Sequence, residues 1–161
     1  MKIFRHIGLK AVVVFISVFP AHLIAGNETG SVECESTCQL NLANEYFDLL
    51  NAVGKKGSTD KDIEKLISSM HDDVQYIHVR FGAEFNQTSW RKAFLRNLKK
   101  GFYTATSKQE IRILRSIDGK GYLAVEYAHG SINNDNWIPE EGQLVIFGFT
   151  DGKISMIKEL W

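Results

Sequence analysis

The chain has 161 residues, room for one domain of ordinary size and not for two. Nineteen Lys and Arg against nineteen Asp and Glu leave no basic surplus to neutralise a run of phosphates, which argues against nucleic-acid binding. Apolar residues at 44% and charged residues at 24% suit a packed core and not a disordered chain.

Lys2, Arg5 and Lys10 precede the apolar stretch Ala11–Phe19 and then the small residues Ala25 and Gly26, the order of a secretory signal peptide. This run of nine apolar-to-small residues is too short for the roughly 20 that span a bilayer. No Cys follows Leu23-Ile24-Ala25-Gly26, so lipid cannot be attached there. Residues 1–26 are therefore expected to be removed, leaving a periplasmic or secreted protein with no stable membrane anchor and sixteen basic against nineteen acidic side chains. A polar segment, 27–38, carries both cysteines. In an oxidising compartment Cys34 and Cys38 are expected to form a disulfide, with free thiols the alternative, and one Cys-x3-Cys supplies too few ligands for a metal. The domain proper is expected over 39–161.

Leu42, Tyr46, Leu49, Leu50 and Val53 recur at helical spacing until Gly54–Gly57 interrupt them. Ser58-Thr59-Asp60 offers a cap to a second helix carrying Ile63, Leu66, Ile67 and Met70. Val74–Phe81 alternates like a strand. Thr88 or Ser89 then caps a third helix with Trp90, Phe94, Leu95 and Leu98, closed by Lys99-Lys100-Gly101. Strands are expected at about 103–116, 121–130, 142–150 and 153–161, separated by Asp118-Gly119, the Asn133–Glu141 loop and the hairpin signal Asp151-Gly152.

This order, with Asn44-Glu45-Tyr46-Phe47-Asp48-Leu49-Leu50-Asn51, His71-Asp72-Asp73-Val74-Gln75-Tyr76-Ile77-His78 and Phe149-Thr150-Asp151-Gly152-Lys153-Ile154-Ser155-Met156 in sequence, resembles the nuclear transport factor 2 superfamily, which includes SnoaL-like polyketide cyclases and ketosteroid isomerases. The resemblance implies an α+β fold, a cone-shaped curved antiparallel sheet packed on three N-terminal helices (cystatin-like, SnoaL-like). On the isomerase pattern Tyr46 falls at the oxyanion-hole tyrosine and His78 at the aspartate base. Val145 falls at the second oxyanion donor, whose loss costs about 2.7–4 kcal/mol where such a donor works, so steroid isomerisation is not expected. Trp161 resembles a pocket tryptophan, which puts Glu159 and Ile157 on the concave side with Tyr76, Leu123, Val125, Tyr127, His129, Val145 and Phe147.

Each polar candidate has a plainer reading. His78 as a hydrogen-bonded core histidine competes with His78 as a general base. Tyr46 can be a packed helix aromatic. Glu159 can be an exposed strand residue beside Lys153 or Lys158, since one residue of register reverses its face. His129 can be a rim residue. No phosphate-cradling Gly-rich loop, His-Glu-x-x-His or Gly-x-Ser-x-Gly occurs, so cofactor-free and metal-free chemistry is expected. Two functions follow. One is a cofactor-independent lyase, isomerase or cyclase using His78, Tyr46 and Glu159; the other is a non-catalytic binding protein for a small apolar or aromatic molecule. Apolar residues on both faces of Leu144–Phe149 imply a homodimer through the outer sheet face.

Overall fold

Helix α1, Ser36–Gly54, forms where Ala43, Tyr46, Phe47 and Val53 share one buried stripe, and the Cys34–Cys38 disulfide spans its first turn. In this computed structural model residues 34–161 are described; the expected signal segment and the first part of the polar stretch lie outside the described residues. The helix thus begins three residues before the boundary expected for the domain. In α2, Asp60–Ser68, the Asp62 carboxylate accepts from the Thr59 N–H and the Thr59 hydroxyl, both at 2.8 Å. In α3, Gln87–Lys99, the cap is Asn86 and not Thr88 or Ser89: the Asn86 side chain accepts from the Ser89 N–H at 2.9 Å, and the Ser89 hydroxyl accepts from the Asn86 N–H at 3.0 Å.

Strands β1 (Gln75–His78) and β2 (Ala83–Asn86) replace the single strand expected over Val74–Phe81. Gly82, at φ +57°, sits in the turn that folds β2 back along β1. The remaining strands are β3 (Gln109–Gly119), β4 (Tyr122–Asn133), β5 (Asn136–Pro139), β6 (Gln143–Thr150) and β7 (Lys153–Glu159). Strand β3 starts later than the sequence suggested. The Asn133–Glu141 loop contains β5, because Asn134 and Asp135 both take positive φ, 47° and 64°, and turn the chain back on β4. The sheet order is β2-β1-β7-β6-β4-β3, with β5 beside β4. It is mixed and not wholly antiparallel as expected: β1 runs parallel to β7. No local pattern marks that pairing, since the paired residues, such as Gln75 and Met156, lie far apart in the chain with five strands and a helix between them.

The three helices cover the concave face. Tyr46 and Phe47 on α1 meet Phe147 on β6 edge-on, at ring separations of 5.4 and 5.9 Å. The Asn51 side chain ties the same helix to edge strand β3. It donates to the Ile111 carbonyl at 2.9 Å and accepts from the Ile111 N–H at 2.8 Å, satisfying backbone groups that an edge strand leaves open. Gly130 is required for close approach, because a Cβ there would lie 2.5 Å from the Trp137 ring. On the convex face Ile117, Tyr122 and Leu144 are exposed. Among the described residues no helix is long and apolar enough to cross a membrane.

Candidate functional site

Strand register assembles the site from residues far apart in sequence. His78 pairs with Glu159, Glu159 with Val145, and Val145 with Val125, so the four lie in one row across β1, β7, β6 and β4. Side chains in such a row share a face, and here it is the face under the helices. The row on one side is Tyr76, Ile157, Phe147 and Leu123; on the other side Gln143 pairs with Tyr127. Apart from Tyr76, His78 and Glu159 the first two rows are apolar and form the core, with Val125, Val145, Phe147 and Ile157 fully buried. Polar groups gather at one end, where Tyr76, His78, Tyr127, Glu159 and Trp161 meet.

Glu159 is the centre of that group. It is 5% exposed, and its Oε2 accepts from the Tyr127 hydroxyl at 2.6 Å and from the Trp161 indole N–H at 2.6 Å. The indole nitrogen also lies 2.9 Å from the Tyr127 oxygen, so the three side chains form a closed triangle. Both bonds fall on one carboxyl oxygen. His78, 6% exposed, has neither ring nitrogen hydrogen-bonded to a described residue. Buried polar atoms are nearly always paired, so two such atoms on the residue paired with a buried carboxyl group set this end of the sheet apart from the core.

Burial pushes the Glu159 carboxyl above the usual carboxylate range; the bonds from Tyr127 and Trp161, and then the imidazoles of His78 and His129, pull it back. Burial likewise pushes the Tyr46, Tyr76 and Tyr127 hydroxyls up, with Glu159 adding to each. These phenols are therefore neutral donors at ordinary pH. Tyr46 lies against Trp90, Phe47 and Phe147, and no described residue hydrogen-bonds its hydroxyl.

Phe81, on the β1–β2 turn, covers His78 with its ring 4.4 Å away, while Trp161 stands edge-on to the same imidazole at 4.6 Å. Phe81 is nevertheless 68% exposed. Phe81 is the site residue that sequence reasoning missed, because it read as the end of a strand and not as part of a turn. His129 does not join the cluster. It is exposed, and it borders a separate surface cleft of about 260 Å³ with Leu50, Gln109 and Glu140. Among the described residues no three His, Cys, Asp or Glu side chains converge as a metal ion requires.

No protein-family model matches the chain, and no curated protein matches it. Solved structures do. A protein from Kribbella flavida, provisionally assigned as a ketosteroid isomerase, superposes with a TM-score of 0.52 at 16% identity, over 78% of each chain. One from Sinorhizobium meliloti, provisionally assigned as a polyketide cyclase, gives 0.50 at 14% identity over 74% of this chain and 94% of that one. An epoxide hydrolase-like protein of M. tuberculosis gives 0.51 at 14% identity over 76% and 81%. Identities this low establish architecture and leave activity to the site itself. The chain has the nuclear transport factor 2-like fold, three helices on a curved, open, mixed sheet.

Proposed function

We propose that the end of the cone around His78 and Glu159 is a small-molecule site at which His78 accepts a proton, giving a cofactor-independent lyase, isomerase or cyclase. The observation that carries this reading is the buried imidazole with both nitrogens unpaired, next to a buried carboxyl group. A core histidine serving only packing would have its nitrogens bonded to a neighbour. Tyr46, on the α1 stripe packed against Phe147 and with no described residue bonded to its hydroxyl, supports the reading as a donor to charge that develops on a ligand. Glu159, one strand from His78, compensates the imidazolium formed when the proton arrives.

Val145 supports the second reading, a non-catalytic binding protein, because a fully buried valine stands where an isomerase would present a second donor. Both readings need His78 to touch the ligand. With 2-naphthol as the probe, His78→Ala is expected to keep the fold, judged by far-ultraviolet circular dichroism, and to weaken binding at least about tenfold, or ~1.4 kcal/mol. Equal affinity in the folded variant would remove His78 from the site.

We further infer that the protein is exported after loss of residues 1–26 and pairs through its convex face, where Ile117, Tyr122 and Leu144 are exposed. One purification tests both: the mature N-terminus is expected near Asn27 and light scattering is expected to give twice the chain mass. An intact Met1 contradicts the first inference, and a monomer at micromolar concentration contradicts the second.

A further inference from the structure

The unpaired groups at the site have a common character. Glu159 Oε1 receives no hydrogen bond from a described residue, and both ring nitrogens of His78 are buried without a partner among the described residues. Glu159 is the one buried acid among the described residues, and no Lys or Arg among them is buried. An anionic ligand would face that carboxyl group with no fixed cation to offset it. A purely apolar ligand would leave the acceptors bare, at the full cost of burying them unpaired. A ligand that brings positive charge and N–H donors satisfies both conditions.

The walls fit the same ligand. The rings of Tyr76, Phe81, Tyr127 and Trp161 surround the carboxyl group and His78, and aromatic faces attract a cation while also packing its carbon substituents. Resting on the reading of this end of the cone as a ligand site, we propose that its ligand is a small organic ammonium ion, whose N–H donates to Glu159 and whose carbon body lies against these rings. Phe81 is the side chain that yields on entry. It caps His78 from an exposed turn closed by Gly82, whereas Trp161 is held by its bond to Glu159.

Titration calorimetry of the full chain at pH 7.5 with benzylammonium, benzyl alcohol and benzoate separates the possibilities, since the three share a ring and differ in charge. Benzylammonium is expected to bind at least tenfold more tightly than either of the others. Glu159→Gln, which keeps the volume, is expected to abolish that preference, and Phe102→Ala, at an exposed position outside the cluster, is expected to retain it. Benzyl alcohol or benzoate binding as well as benzylammonium, or a preference that survives Glu159→Gln, overturns the ammonium assignment. In that event a 2-naphthol site lost in His78→Ala leaves the reading of the site intact. Absence of binding by every probe, in both the wild type and Phe81→Ala, overturns both.

Discussion

Phe147→Ala is expected to destabilise the domain by about 3–5 kcal/mol, the range for deleting a buried aromatic ring and leaving part of its volume empty. Phe147 is fully buried, and its ring joins the sheet to α1 through edge-on contacts with Tyr46 and Phe47. It also pairs with Ile157 across β6 and β7 and with Leu123 across β6 and β4. Stabilities of single domains lie at about 5–15 kcal/mol, so much of the total is at stake. Urea unfolding measures it. Phe102→Ala, at an exposed position after α3, is expected to change stability by no more than about 0.5 kcal/mol. Similar midpoints for the two variants would mean that the α1–sheet contact does not hold the core.

Glu159→Gln is expected to stabilise the protein at pH 8 by about 1–3 kcal/mol, the range mutational data give for burial of a polar group, and to confer no advantage at pH 4. Burial raises the carboxyl pKa in the folded state above its unfolded value. Between those two values the folded chain holds a proton that the unfolded chain has released. Stability is therefore fully present below the unfolded pKa, near 4.5, and is lost as pH rises through the folded pKa. The groups acting on this carboxyl are His78 and Tyr76 from β1, Tyr127 from β4 with the exposed His129 next to it outside the cluster, Tyr46 from α1, and Trp161. The three phenols are pushed up and do not titrate in this window. Glutamine keeps an acceptor for Tyr127 and Trp161 while carrying no charge. Thermal melts of both proteins from pH 4 to pH 8 give the difference directly, and a stabilisation that is the same at every pH would contradict the account.

Local chemistry made much of this fold readable. The apolar stripe of α1, the Thr59 start of α2 and the Asp151-Gly152 turn each depend on residues close in sequence, and Asp151 and Gly152 do take positive φ, 50° and 70°. Strands β2 and β5 escaped because four residues show too little alternation, and β5 follows an Asn-Asp turn without the Gly that usually advertises one. Tyr46, His78, Glu159 and Trp161 were legible as one face only through the resemblance to a fold. That His78 lies beside Glu159 depends on parallel pairing of β1 with β7, which no window of sequence encodes. The same limit explains Phe81: its position over His78 follows from the turn at Gly82, not from strand alternation.

The central claim, that the unpaired His78 imidazole belongs to a ligand site, is tested most directly by long-range proton–nitrogen NMR of the wild-type protein during addition of 2-naphthol. The nitrogen signals of His78 are expected to shift along a saturating curve while those of His71, remote from the cluster, stay fixed. Saturable shifts elsewhere with His78 unmoved would place the ligand at another site and leave His78 a buried packing residue.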